Sequence, residues 1–345
     1  MMNKVQEQDI KAWIDSFALY ECFKNKKILI TGATGLLGSC MLRCLQALNS
    51  CYHLNINITA VVRSKEKAES MFGGAGECLH YYVFDFSENS AFCPNEKPDY
   101  IFHFASPTAS KFFVEHPVET IKTGLQGTEM ILEYAKDHPL NSVVFASSLE
   151  VYGTVFEDAE PLTEEKQGYL DPMEVRSCYP LAKRMSECLC KSYSEEYAVP
   201  VKIARLAQTF GAGISKDDNR VFAQFARSVI NNNNIVLHTA GKLSRCYCYT
   251  IDAIEALFYI AIKGKDGEAY NVANEDTYIS VIDMARFICK EFNPNISPVI
   301  ELKEGMGYSP TTKLRLDTKK VKDLGWKPKY DLRSMFYHLI MSIKE

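Results

Sequence analysis

The 345-residue chain has no long uninterrupted apolar run: Ile254 to Ile262 is broken by Glu255, and the first twenty residues carry Asp9, Lys11 and Asp15 where a secretory leader would be apolar. These segments read neither as a membrane span nor as a signal peptide, and they predict a cytoplasmic protein without membrane contact. The chain also lacks a surplus of one charge, with 39 basic against 43 acidic side chains and a net of -4, so it offers no polybasic footprint for nucleic acid. Internal repeats and low-complexity segments are absent. Twelve cysteines fall at spacings that match no zinc pattern, such as Cys40 with Cys44 and Cys246 with Cys248, and seven scattered histidines make no ligand pair. The expectation is therefore no metal and small buried thiols in a reducing compartment. What remains is ordinary globular composition, 47% hydrophobic and 24% charged, with length for one to two domains.

Short apolar runs alternate with helical-length segments through the first two thirds of the chain. Strands are predicted at Lys27 to Ile30, Ile58 to Arg63, His80 to Phe84, Tyr100 to Phe104, Val143 to Ser147 and Val201 to Leu206. They are nearly continuous in apolar residues rather than alternating, as expected when helices cover both faces of a parallel sheet. The fold class read from this is α/β, a Rossmann-type doubly wound sheet spanning residues 1–206. An extra helix is expected from Gln6 to Lys24, where Ile10, Ile14, Phe17 and Leu19 have helical spacing. Residues 207–345 loosen into Gly, Asn and Asp clusters, with a strand at Ala269 to Val272 and helices near Ser280 and Tyr330. They read as a smaller α/β substrate-binding domain, some of whose segments return to the first.

Thr31-Gly32-Ala33-Thr34-Gly35-Leu36-Leu37-Gly38 directly follows the first strand and opens a helical stretch. Strand before and helix after is the context in which such glycines hold a dinucleotide. Gly32 allows the tight turn, Gly35 lets backbone approach a pyrophosphate, and Gly38 lets helix and strand pack closely, so Gly32, Thr34, Gly35, Leu36, Leu37 and Gly38 are the expected cradle. A site for NAD commonly closes its second strand with an acid for the ribose 2'-hydroxyl, whereas here Arg63 and Lys65 follow Val62. Those two cations suit a 2'-phosphate, so the cofactor is NAD or NADP with Arg63 and Lys65 favouring NADP. Asp85, followed by Phe86, closes the third strand where it can accept a hydrogen bond from the adenine amino group.

Ser148 ends a predicted strand, and Tyr179 and Lys183 lie four apart on one helix face. A phenol with a pKa near 10 is a poor base at pH 7, and lowering it by about three units takes roughly 4 kcal/mol. An ammonium about 4 Å away at an effective dielectric near 20 supplies an interaction of about that size. Tyr179 as base, Lys183 as its electrostatic partner and Ser148 as a donor to the substrate oxygen make a unit for taking a proton from an alcohol.

With these motifs stand His103-Phe104-Ala105-Ser106, Gly127-Thr128, Ser147-Ser148-Leu149-Glu150-Val151-Tyr152-Gly153, Arg205, Gly211, Arg245 and Tyr249-Thr250-Ile251-Asp252. In this order the chain resembles the extended short-chain dehydrogenase/reductases acting on nucleotide sugars, the NAD-dependent epimerase/dehydratase family. The resemblance implies oxidation of the sugar at C4 by a bound nicotinamide cofactor, a second step on the 4-keto sugar, and return of the hydride. It further implies that Phe104, Ala105 and Ser106 line the cofactor and that Ser148, Tyr179 and Lys183 perform the oxidation, with Glu150 beside them. Arg245 and Gln208 would then lie at the diphosphate, Arg220 and Val221 near the base, and a homodimer would form through Pro117 to Lys136 and Tyr179 to Tyr197.

Departures from the family pattern bear on the second step. Gly124 stands where an Asn is common, as does Gln208, and Leu149 occupies the position at which the 4,6-dehydratases carry a proton-donating Asp. Leucine cannot protonate a leaving hydroxyl. Ala105-Ser106-Pro107, Arg176-Ser177-Cys178-Tyr179 and Asn219-Arg220-Val221 resemble UDP-glucuronate decarboxylases, although Pro180-Leu181-Ala182 replaces the acidic residues those enzymes carry there. Epimerisation asks least of the residues and ranks first, decarboxylation second and dehydration third. A net NADPH-dependent keto-sugar reductase and a catalytically dead nucleotide-binding module are the competing classes.

Overall fold

The computed structural model describes residues 2–88, 90–303 and 311–345. Its main sheet begins with β1 (Lys27–Thr31), β2 (Asn57–Val62), β3 (Leu79–Val83), β4 (Tyr100–His103), β5 (Ser142–Ser148) and β6 (Val201–Leu206). Beyond these come β7 (Gln208–Phe210), β8 (Ile235–Leu237), β9 (Ser244–Tyr249), β10 (Ala269–Val272), β11 (Asn274–Ser280), β12 (Pro298–Ile300) and β13 (Lys313–Leu314). The large sheet is wholly parallel, in the order β10-β6-β5-β4-β1-β2-β3. Ala269 to Val272 is therefore its outer strand.

Successive residues of a strand point to opposite faces. Ile28 and Ile30 accordingly join a core with the Leu36–Tyr52 and Thr250–Lys263 helices, whereas Leu29 joins a second core with the Pro117–Asp137 and Cys178–Tyr197 helices. With both faces covered, β4 and β6 are buried along their whole length, so β4 reads as a nearly continuous apolar run, while β6 also buries Lys202 and Arg205. The strand order reverses between β1 and β4, and the crevice at such a switch point is where open α/β sheets bind ligands.

β9 is central to a smaller sheet, flanked by antiparallel β11 and by β7 and β13 in parallel. A buried ion pair ties the large sheet to its helices: Arg205 on β6 donates to Glu187 at 2.7 and 3.0 Å, and Ser147 donates to the same carboxylate at 2.5 Å.

The extra N-terminal helix is shorter than its spacing predicts, ending at Ile14 rather than near Lys24. The backbone amides of Ser16 and Phe17 both turn back to the Trp13 carbonyl, and Tyr20–Phe23 follow as a short 3-10 turn. The turn lets Phe17 stack 4.6 Å from Trp13 and pack at a tilt 5.4 Å from Phe258, contacts worth roughly 0.5–1.5 kcal/mol each beyond their burial. All twelve cysteines are unbridged, and Cys22, Cys51, Cys93 and Cys188 are exposed rather than buried. No helix among the described residues is long and apolar enough to cross a membrane.

Candidate active site

Gly32 sits at φ +63°, where a Cβ would stand 3.0 Å from the backbone of Phe104 and Ala105. At Gly38 the obstruction is greater, since a Cβ would lie 2.3 Å from the Gly32 carbonyl oxygen. Gly35 is different: a Cβ there meets only that same oxygen, at 3.2 Å, and otherwise enters open space in front of the helix. Gly35 caps the Leu36–Tyr52 helix, whose first turn carries no acid, so its amides face the crevice with their partial positive charge uncancelled. The turn thus fits the pyrophosphate of a dinucleotide.

The opposite wall is tied to this turn by Thr31. Its hydroxyl oxygen accepts the Phe104 and Ala105 amides, both at 3.0 Å, so its proton goes to His103 Nδ1 at 2.8 Å. His103 is held neutral, its pKa pushed down to about 3 by burial and then by the Lys183 charge. His103 and Thr31 are members of the site's frame that the glycine spacing alone does not reveal. Ser106, partly buried, continues this wall.

Arg63 lies one residue beyond β2, exposed, and its charge reaches Asp85. Lys65, by contrast, heads the Lys65–Phe72 helix and pairs with Glu69 at 3.7 Å. The two cations expected to act together are separated by this helical pairing. Asp85 directs one carboxylate oxygen to the Ser87 amide and hydroxyl at 2.9 and 2.8 Å, which helps hold it ionised, and its other oxygen has no partner among the described residues. The Phe86 side chain is buried, 5.5 Å from the His103 ring, so only its backbone can meet a cofactor.

Ser148 ends β5, and its hydroxyl accepts the Glu150 amide at 3.2 Å, capping the turn Leu149–Tyr152. Leu149 is buried. Tyr179 and Lys183 share the first turns of the Cys178–Tyr197 helix. Their interaction differs from the one the spacing predicts. Lys183 donates to the Ala146 carbonyl at 2.8 Å, and its Nζ stands 4.6 Å from the Phe145 ring centre and 5.9 Å from that of Tyr179. Burial lowers the Lys183 ammonium to about 8. The Tyr179 phenol is held above its ordinary range, first by burial and then by the Glu150 charge, while hydrogen bonding with Ser148 and the Arg176 charge pull the other way. Desolvation is the largest influence on the phenol, and Arg176 rather than Lys183 is the cation that opposes it.

Arg176 enters the sequence reading only within the run Arg176-Ser177-Cys178-Tyr179, with no role assigned to it. Its Nη2 donates to both Glu150 oxygens at 3.0 and 2.9 Å, and the guanidinium lies 4.9 Å over Phe113. Phe113 in turn stacks on Tyr179 at 4.3 Å and 10°. Arg176 Nε is buried with no partner among the described residues.

At the small sheet Arg245 donates to Gln208 at 2.8 Å, while its Nε has no partner among the described residues. Two residues along the same strand face, the Tyr247 hydroxyl is likewise buried and without a partner among the described residues, and burial pushes the phenol up to about 12. Tyr247 is a further candidate that strand periodicity from Arg245 could have found. Arg220 is engaged by Asp218 at 2.6 Å and leads into the Val221–Ile230 helix, with Val221 partly buried at its start.

A doubly wound parallel sheet with a glycine cradle at its switch point and a Tyr/Lys pair beside it defines a dinucleotide-dependent enzyme class. The model of the NAD dependent epimerase/dehydratase family matches residues 28–273, and the chain belongs to that family. Among curated proteins it is 29% identical over 318 residues to UDP-glucuronic acid decarboxylase 3 of Arabidopsis thaliana, covering 90% of this chain and 87% of the relative. Among solved structures it resembles the UDP-glucose 4-epimerase of Thermotoga maritima, with TM-score 0.76 and 20% identity over 92% of this chain and 98% of that one. The dTDP-glucose 4,6-dehydratase of Bacillus anthracis gives TM-score 0.73 and 18% identity over 92% and 96%. Likeness at these identities shows the fold, a Rossmann-type α/β sheet.

Proposed function

We propose that this enzyme oxidises a nucleotide-bound uronic acid at C4 and that the resulting 4-keto acid loses its carboxyl group as carbon dioxide. The observation that carries the reading is Arg176, a guanidinium held beside Tyr179 by Glu150 with a donor still unpartnered. A planar cation suits a sugar carboxylate, and the likeness to UDP-glucuronic acid decarboxylases supports the same substrate class. This reverses the ranking in which epimerisation comes first.

A bound nicotinamide dinucleotide supplies the acceptor for the C4 hydride and later its donor. Tyr179, once ionised, takes the C4 hydroxyl proton, Ser148 orients that oxygen, and Lys183 beneath the pair supplies positive charge. The 4-ketone makes the C6 carboxylate a β-keto acid, so the C5–C6 bonding pair is delocalised into the ketone as carbon dioxide leaves and C5 is afterwards protonated. Leu149 is compatible with this because no hydroxyl departs. Gln208, Arg245 and Tyr247 hold the diphosphate, and Arg220 with Val221 borders the base. Exposed Arg63 favours NADP at the 2'-end. Val118, Ile121 and Met185, exposed on the two long helices of one sheet face, support pairing of two copies there.

Turnover of UDP-glucuronate followed by mass and NMR analysis tests the reading. A product lighter by carbon dioxide is expected. A product of unchanged mass would establish epimerisation instead, and one lighter by water would show that Leu149 does not prevent elimination.

A further inference from the structure

The family match begins at residue 28 and ends at residue 273, yet a buried polar cluster joins the two ends of the chain outside those limits. Asp9 on the Lys4–Ile14 helix is only 5% exposed. Its carboxylate accepts from Tyr249 at 2.5 Å, from Tyr330 at 3.4 Å and from His338 Nδ1 at 2.8 Å. Tyr249 and Tyr330 stack at 4.2 Å, with His338 edge-on to both. Tyr249 ends β9, the strand that carries Arg245 and Tyr247. One turn earlier on the helix, Gln6 meets the segment following β7: its amide lies 3.5 Å from the Ala212 carbonyl, and a Cβ on Gly213 would strike that amide at 1.9 Å. The Tyr249 hydroxyl also accepts the Ala212 amide at 3.3 Å. Gly213, Asn3 and Ser342 are linked as well, the Ser342 hydroxyl accepting from the other two at 3.1 and 2.7 Å.

The N-terminal helix therefore clamps the ends of β7 and β9, and these are the parallel strands that present Gln208 and Arg245. We propose that Asp9 is a positioning residue, which fixes the strand pair bearing Gln208 and Arg245 and so sets affinity for the nucleoside diphosphate without touching it. The assignment rests on the reading of Gln208 and Arg245 as diphosphate ligands. Its physical basis is that β7 is only three residues long and pairs with β9 alone, so few ladder hydrogen bonds of its own hold its register. A ligand gripped by side chains from two adjacent strands is lost if either slides, and a supporting contact at the strand ends restores that precision. An ionised acceptor taking three donors is suited to the task, since hydrogen bonds to a charged group are about twice as strong as neutral ones.

The test uses the full chain with Asp9→Asn, and with Tyr330→Phe and His338→Gln, each of which removes one arm of the cluster and spares folding should Asp9→Asn not fold. UDP affinity is measured by calorimetry, NADPH affinity by fluorescence titration, and amide hydrogen exchange by mass spectrometry. UDP should bind about fivefold more weakly or worse, with NADPH affinity within twofold of the parent. Exchange should quicken in residues 208–213 and 244–249 while β1, β4 and β5 keep their protection. Unchanged exchange in those two strands, or equal loss of UDP and NADPH affinity, overturns the brace. If the parent itself binds no UDP, the functional reading fails, and exchange in the two strands still decides whether the helix positions them.

Discussion

Lys183 gives its ammonium to the carbonyl oxygen of Ala146 at 2.8 Å, within the strand that ends in Ser148. The contact places a nearly buried cation under the catalytic turn, and its charge is sustained by one backbone oxygen and the face of Phe145. Its cost is visible as pH dependence. With the lysine lowered to about 8 from 10.5, the unfolded chain binds more protons than the folded one between those values. Stability from this group is thus present above pH 10.5 and lost as pH falls through 8, a swing of up to about 3 kcal/mol. Lys183→Met should raise the melting temperature at pH 7, and calorimetry should find that gain shrinking between pH 8 and 10. A gain independent of pH would show that the ammonium is not desolvated.

Tyr179→Phe removes only the hydroxyl and keeps the stack on Phe113, so the variant should fold and bind cofactor as the parent does. Turnover should fall by about a hundredfold or more, the usual range for an acid-base group. Parent-like turnover would eliminate Tyr179 as the base.

Arg63 and Lys65 should separate experimentally as they do structurally. Arg63→Ala should weaken NADP relative to NAD by about tenfold, on the order of 1.4 kcal/mol, whereas Lys65→Ala, which breaks the pair with Glu69, should change the ratio little. Titration of the purified protein with both dinucleotides decides it. An unaltered preference in Arg63→Ala would return that residue to the solvated surface.

The glycines of the cradle should fail in different ways. Gly38→Ala drives a methyl onto the Gly32 carbonyl and should cost about 1–3 kcal/mol of stability. Gly35→Ala meets little of the chain and should leave melting nearly unchanged while weakening dinucleotide binding. Calorimetry together with cofactor titration separates the two, and equal effects of both substitutions would refute the assigned roles.

The parallel sheet, its switch-point turn and the pairing of Tyr179 with Lys183 on one helix were legible in the sequence, because each follows from a short-range period of the backbone. Continuous apolar runs mean strands covered on both faces, and Gly32, Gly35 and Gly38 recur at the spacing of a turn entering a helix. Strand ends agree within a residue or so with the ends of the β-branched and aromatic runs. The N-terminal helix was overextended because Phe17 keeps helical spacing while the Ser16 amide closes a tighter turn on the Trp13 carbonyl three residues back. What only the tertiary structure decided is the choice of polar partner. Arg176 reaches Glu150 across 26 positions, and His338 reaches Asp9 across 329. Lys183 turns to Ala146, and the Tyr179 phenol goes up rather than down. In each case the partner sits on a different element, and burial there sets the electrostatics. Neither these pairings nor their burial exist until separate elements are packed together.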